Sequence, residues 1–378
     1  MSDVDTTSDI NKLKMHAQAK YFVAFNQFHE KIGPQRIKKL LAYFHNLQNA
    51  WKAPESELLN AGLEENIVTE LCAQRITIDP DKKLEELKPH GIDVITILDE
   101  NYPKLLKEIY DPPPILYVRG HFLPQDEKAL AIVGTRMPTP YGQQAASHLA
   151  GQIAQAGLTI VSGLARGIDT LAHLAALQNK TRTVAVVGSG IDEATIYPPS
   201  NRKLAQQISE NGAVVSEYPI GCPALKHHFH ARNRVISGLS LGALIIEAKE
   251  KSGALITARH ALEQNREVFG LPGPIYSQTS AGPNNLIKMG AKLVSSTQDI
   301  LEELNLKNLT EQIQIRQILP DNQEEAKILQ ILSDEPTHID KIINDTKLDT
   351  ATVNATLSLM EMKGKIKNLG GMNYVIAR

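Results

Sequence analysis

Six short runs of apolar, mostly β-branched residues punctuate the middle of this chain: LAIVG at 130–134, LTIVSG at 158–163, TVAVVG at 183–188, AVVSEY at 213–218, ALIIEA at 243–248 and EVFGL at 267–271. A strand with one face in water alternates apolar and polar residues. These runs barely alternate, so both of their faces must be covered. Between them lie stretches of helical periodicity, including one from about Tyr141 and one over 168–178. Strands alternating with helices fold as a parallel sheet covered by helices on both faces. The expected fold class is therefore α/β, with an extended Rossmann-like, doubly wound core over residues 89–304.

The flanks read differently. Residues 1–88 suggest short helices. Ile32-Gly33-Pro34, followed by Ile37, Leu40, Leu41 and Phe44, marks a turn opening an amphipathic helix, as in SAM and helix-hairpin-helix modules. Such a segment either packs as a plain helical domain or touches DNA phosphates through backbone N–H groups. A polar stretch, 305–322, reads as a linker. Within 323–378, EEAKILQILSD, HIDKIINDT and TATVNATLSLMEMKGKI suggest three helices, and a β-hairpin turning at Gly370-Gly371 follows. Three helices and a hairpin form the winged-helix pattern.

The 40 Lys and Arg nearly balance the 42 Asp and Glu, so any basic site must be local. The first residues lack the apolar core of a signal peptide, and no stretch reaches the ~18 apolar residues of a bilayer span. Cys72 and Cys222 form no motif, as suits a reducing compartment. A cytoplasmic protein without membrane contact is expected.

In an open parallel sheet, ligands bind beyond the C-terminal strand ends, where helix N-termini offer free N–H groups. The loops there are Gly134-Thr135-Arg136, Ser162-Gly163-Leu164-Ala165-Arg166-Gly167, Gly188-Ser189-Gly190 and Ser252-Gly253. Glycine lets a backbone approach a phosphate, and hydroxyls add donors. Gly188-Ser189-Gly190 has Glu193 where a dinucleotide fingerprint has its third glycine, and no phosphate-binding P-loop motif occurs. No cofactor is expected.

From Cys222 to His260 there are six Lys or Arg against two Glu. The densest part, Lys226 to Arg234, places Phe229 among cations, a composition suited to phosphates and the exposed bases of a single strand. Alternatively, Arg232 and Arg234 pair with carboxylates such as Glu217 and Glu247, and Phe229 packs in the core. Cys222, His227, His228 and His230 invite a metal reading, but neighbouring histidines rarely converge on one ion, and no metal is expected. Asp169, Asp192, Glu217 and Glu247 fall near strand ends, where an enzyme places acids and bases. No nucleophile accompanies them, Asp169 is expected to hold Arg166 and its loop, and no catalytic residue is assigned.

These residues closely resemble the DprA/Smf family, the DNA-processing protein A family. The resemblance rests on AIVGTRMPTPYG, VSGLARGIDTLAH, YPPSN at 197–201, SEYP at 216–219, FHARNRVISGLS and SGALITARHALEQNREVFGLPGP. It implies a single-stranded DNA-binding Rossmann core, a homodimer, protection of incoming strands in natural transformation, and loading of the RecA recombinase. By motif, Arg136, Lys226 and Phe229 become strand-binding positions, supported by Arg166, Asn233 and the Gly163 and Gly253 loops. Together with the loop residues, the candidate set also includes Gly134, Thr135, Ser162, Arg232 and Arg234. The resemblance places the dimer contact in the later part of the core, with Leu286, Ile287 and Met289 as candidates. His230 departs from the proline common there, which loosens the backbone beside Phe229. A phosphoribohydrolase-like enzyme is the main alternative, yet SGALITAR stands where its P-G-G-x-G-T motif belongs. A winged-helix transcription regulator is a further one, although the segment 349–363 has few cations before Lys363, Lys365 and Lys367.

Overall fold

A computed structural model describes residues 18–306, 320–333 and 336–376. The chain divides into two compact units, 1–309 and 310–378, each considered by itself. Most of the expected linker and the first residues of the chain lie outside the described residues.

The first unit is built on a nine-stranded sheet of order β1-β2-β6-β5-β4-β3-β7-β8-β9. The strands are β1 (Asp93–Thr96), β2 (Ile115–Gly120), β3 (Ala129–Val133), β4 (Thr159–Ser162), β5 (Thr183–Val186), β6 (Ala213–Ser216), β7 (Gly242–Ile245), β8 (Glu267–Gly270) and β9 (Lys292–Leu293). Each apolar run forms one of the strands β3 to β8. Strands β3 to β9 are parallel, with Leu130 opposite Gly242 and Ile132 opposite Leu244 between β3 and β7. Strand β3 shows why its run does not alternate. Leu130 and Ile132 join one apolar cluster with Leu149, Ile153 and Phe269, while Ala131 and Val133 join another with Val184, Val235 and Ile245.

The sheet is not wholly parallel, which corrects the simplest form of the expectation. β1 pairs antiparallel with β2, and β2 pairs antiparallel with β6, Val118 lying opposite Val215. The long connection between β1 and β2 and the Pro112-Pro113-Pro114 run before β2 disguise this antiparallel pair in the sequence.

The helices ahead of the sheet begin at 18–26 and continue through Pro34–Phe44, Leu47–Lys52, Glu55–Asn60, Glu65–Arg75 and Pro80–Glu85. Pro34 opens its helix at a position where a missing N–H costs nothing, and Ile37 and Leu40 point inward. Tyr21, Phe22, Phe25, Leu40 and Leu71 share one apolar cluster with Tyr117 of β2, Val214 of β6, and Leu204 and Ile208. The Tyr117 hydroxyl donates to Asn26 Oδ1 at 3.0 Å, and Asn26 Nδ2 donates to the Glu217 carbonyl at 3.2 Å. The shift near residue 88 is thus one of pattern and not a break in packing.

In the second unit, helices Gln323–Ile331, Ile339–Thr346 and Thr350–Met362 precede a hairpin of β11 (Ile366–Asn368) and β12 (Asn373–Ile376), joined by the short β10 (Thr337–His338). Ile328, Ile342, Val353, Leu357 and Met360 form its core. This is a winged helix. Lys363 Nζ lies 2.8 Å from both Asp321 and the buried Glu325, and Lys365 Nζ contacts the same two carboxylates. Among the described residues, no helix is long and apolar enough to cross a membrane.

The shared core makes a prediction. Trp51 is the only tryptophan and packs edge-on against Phe25 at 5.1 Å, so its fluorescence reports the helical segment. Tyr117→Ala, a change in the sheet, is expected to cost ~3–5 kcal/mol and to lower the urea midpoint read from Trp51. An unchanged Trp51 midpoint would mean that the helices fold independently of the sheet.

Candidate nucleic-acid interface

Connections β3→β4→β5→β6 step in one direction across the sheet, and the crossover to β7 returns to the other side of β3. A crevice opens where neighbouring strands send their loops in opposite directions, here between β3 and β7. Glu247 closes its base. The side chain is buried and accepts from Thr139 N at 2.9 Å, Thr139 Oγ1 at 2.7 Å and Thr279 Oγ1 at 2.8 Å. Its backbone carbonyl accepts from Thr135 N at 2.7 Å. One carboxylate therefore fixes the loop after β3 to the loops after β7 and β8.

The loop after β4 is pinned from below. Buried Asp169 accepts from Gly163 N at 3.1 Å and Ala165 N at 3.3 Å, and Asn201 Nδ2 donates to the Leu164 carbonyl at 2.8 Å. Burial raises the Asp169 carboxyl above its ordinary range, against the opposing charge of Arg232. Asp169 holds the loop as expected, but through its backbone, while the Arg166 side chain is exposed. Gly167 adopts φ 78°, and a Cβ there would lie 2.4 Å from the Thr135 carbonyl oxygen. Only glycine lets the β3 and β4 loops touch in this way.

The helix Lys226–Gly238 runs inward from the site. Arg232 is 5% exposed, and its Nη1 donates to the Gly163 carbonyl at 2.6 Å and to the Val186 carbonyl. Burial pulls this guanidinium down to about 10, with Asp169 pulling it back up. Asn233 Nδ2 donates to the Gly253 carbonyl at 3.2 Å. Arg234 lies 2.6 Å from Glu217 and 2.9 Å from Asp111. Burial would lower its pKa, but the two carboxylates outweigh it and the net shift is upward.

Arg232, Asn233 and Arg234 consequently lie beneath the surface, which corrects the place of the two arginines among direct strand contacts and leaves Asn233 holding the Gly253 loop. Arg234 takes the expected Glu217 partner, whereas Glu247 binds hydroxyls and an amide. Ser162 is corrected likewise: its fully buried hydroxyl donates to the Ile132 carbonyl at 2.6 Å. Gly134 and Gly163 are packed too closely for a side chain, a Cβ meeting Ile168 at 2.5 Å in one and Arg232 at 2.6 Å in the other. Thr135 is half-buried, and Gly253 is exposed with open space beside it.

Arg136, Arg166 and Lys226 remain at the surface, and none forms an ion pair among the described residues. The Arg136 guanidinium sits over the half-buried Phe229 ring, 5.5 Å from its centroid. Tyr197, 46% exposed, lies 5.7 Å from Phe229. Tyr197 joins this face although no strand-binding role was expected for it, and the YPPSN stretch that contains it is its signal in the sequence. The remaining acids are engaged: Asp192 accepts from Thr195 Oγ1 at 2.8 Å and Gly221 N at 2.9 Å, and Glu217 holds Arg234.

Of the residues assigned to a dimer contact, Leu286 packs into the core and half-buried Ile287 sits against Gly270. Met289 is 80% exposed. It neighbours the exposed β9, the outermost strand of the sheet.

Comparison with known proteins matches a family model described as DNA recombination-mediator protein A to residues 93–305 and a DprA winged helix domain to 316–372. Protein Smf of Synechocystis is 36% identical, over 95% of this chain and 99% of its own. DNA processing protein DprA of Bacillus subtilis is 44% identical, over 60% of this chain and 76% of its own. The crystal structure of DNA processing protein A from Streptococcus pneumoniae superposes with a TM-score of 0.65 at 36% identity, covering 75% of this chain and 97% of that one. DNA processing protein A from Helicobacter pylori, a structure concerned with its single-stranded DNA binding mode, gives 0.51 at 35% identity and covers 57% and 96%.

The Glu247 anchor is directly testable. Glu247→Ala orphans an amide and two hydroxyls, each worth ~1–3 kcal/mol when buried without a partner. The variant is expected to lose stability and to speed hydrogen exchange at the Thr139 amide. Parental exchange at that amide in the folded variant would contradict the anchoring role.

Proposed function

Because this chain belongs to the DNA recombination-mediator protein A (DprA/Smf) family, we propose that it binds single-stranded DNA along the face carrying Arg136, Phe229 and Tyr197. The observation that carries this reading is the contrast between inner and outer cations. Arg232 and Arg234 are buried and partnered, while Arg136 sits over the Phe229 ring beside Tyr197, and it and the exposed Arg166 and Lys226 have no ion-pair partner among the described residues. Cations track a phosphate backbone, and aromatic faces stack on bases of any identity. Phosphate contacts carry no base information, so the binding has no sequence preference. The single-stranded DNA binding mode of the Helicobacter pylori relative supports the same reading.

The protein acts on the strand by holding it and not by chemistry. In support, Asp169, Asp192, Glu217 and Glu247 are each committed to fixing a loop or an arginine. Family membership supports extending the proposal to protection of incoming strands during transformation, to RecA loading and to a cytoplasmic location. A homodimer is proposed at the β9 edge, where Met289 and Leu293 expose apolar surface. The winged helix has only a minor part in DNA affinity, since Lys363 and Lys365 are already neutralised by Asp321 and Glu325.

The test is a salt series of fluorescence titrations with labelled single strands. Arg136→Ala and Lys226→Ala are each expected to weaken binding and to reduce the slope of log affinity against log salt by about 1. Phe229→Ala should cost ~1–3 kcal/mol while leaving that slope unchanged. Parental affinity and slope in all three folded variants would sink the assignment.

A further inference from the structure

The turn after the helix at 18–26 and the segment ahead of Lys226 bring together side chains that are far apart in sequence. Cys222 Sγ lies 3.6 Å from His29 Nε2 and 4.0 Å from His228 Nδ1, and the ligand atoms of the three residues fall within 4.8 Å of one another. A tetrahedral zinc ion, bound at about 2.3 Å to sulfur and about 2.0 Å to nitrogen, sets its sulfur and nitrogen ligands roughly 3.6 Å apart. The observed separations need adjustments of only tenths of an ångström for the sulfur–nitrogen pairs. Cys222 and His228 are buried, and the His29 side chain is 19% exposed.

The outer nitrogens of both rings are held as metal-binding histidines require. His29 Nδ1 is 3.1 Å from the Asn26 carbonyl, which can only accept, so Nδ1 carries the proton and the Nε2 lone pair faces Cys222. His228 Nε2 is 2.9 Å from Glu30 Oε1, while its Nδ1 lies 3.2 Å from the Pro223 carbonyl and 4.0 Å from Cys222 Sγ, so ligation through Nδ1 turns that nitrogen from the carbonyl to the ion. Tyr218 stacks on His228 at 4.0 Å and fixes its plane. A cavity of about 280 Å³ lies on the histidine side of the cluster, lined by His29, Glu30, Tyr218 and His228 among others. We propose that His29, Cys222 and His228 form a binding site for a transition-metal cation of the zinc type, with Glu30 orienting His228. A thiolate and two imidazoles suit zinc or cobalt and not magnesium or calcium.

This reverses the sequence-based expectation of no metal, and the reason is His29, which lies 193 residues from Cys222 and could not be placed beside it from the sequence. The bound ion ties the N-terminal helices to the start of the helix that carries Lys226 and Phe229. A competing arrangement shares His228 and uses the exposed Glu30 and His227. A competing protonation state has a charged His228 donating to both Glu30 and the Pro223 carbonyl, 3.2 Å from Nδ1, with no metal at all.

The experiment is a Co²⁺ titration of tag-free, chelator-treated full chain, followed by displacement with Zn²⁺. One equivalent of Co²⁺ is expected, with intense tetrahedral visible bands and a sulfur-to-cobalt charge-transfer band in the near-ultraviolet. Cys222→Ser should abolish the charge-transfer band, and His29→Ala should abolish stoichiometric binding. Glu30→Gln should weaken binding ~10–100-fold. His230→Ala, outside the cluster, should bind as the parent does. Absence of the band in the folded parent overturns the site, as does a parental titration in both Cys222→Ser and His29→Ala. Loss on His227→Ala with retention in Cys222→Ser would instead assign the ion to the exposed carboxylate arrangement. These readouts do not involve DNA, so they stand or fall separately from the function proposed above.

Discussion

A guanidinium buried at the carboxyl ends of β4 and β5 holds the candidate face in shape. Arg232 donates to the Gly163 and Val186 carbonyls and feels the charge of Asp169, which itself grips the backbone of the β4 loop. A buried cation is costly unless its donors and its charge are both answered. Here strand-end carbonyls answer the donors and Asp169 the charge. The arrangement leaves no room for a side chain at Gly163, and it brings the β4 loop against the β3 loop at Gly167. Arg136 owes its place over Phe229 to that stack of contacts.

The outer layer depends on the inner one in a specific way. Glu247 and Arg232 satisfy the loops internally, and among the described residues Arg136, Arg166 and Lys226 have no carboxylate partner. A backbone-gripping surface requires this, because a cation already paired releases no counterion on meeting a phosphate. In the winged helix the same residue type is used differently: Lys363 and Lys365 close on Asp321 and Glu325 and stabilise the unit they belong to.

Much of this was legible in the sequence. Apolar runs without alternation announce strands covered on both faces, and the loops after them contain the site. The sequence could not reveal depth. Lys226 and Arg232 belong to one basic stretch, but the helix they share enters the core after its first turns, so every residue from Arg232 to Gly238 is buried. Residue type alone does not distinguish a cation at the mouth of such a helix from one a turn and a half further in. Ser162 was misread for a related reason, since a hydroxyl at a strand end looks the same whether it faces a ligand or the carbonyl of the neighbouring strand. The β1–β2 antiparallel pair, Tyr197 and the meeting of His29 with Cys222 all depend on tertiary packing between distant segments.

The most direct test of the central claim is a comparison of labelled single- and double-stranded oligonucleotides of equal length, titrated with the full chain across a salt series. A face that combines surface cations with the partly accessible Phe229 and Tyr197 rings predicts tighter binding to the single strand, with affinity falling steeply as salt rises. Equal or tighter binding to the duplex, with no dependence on base exposure, would contradict it.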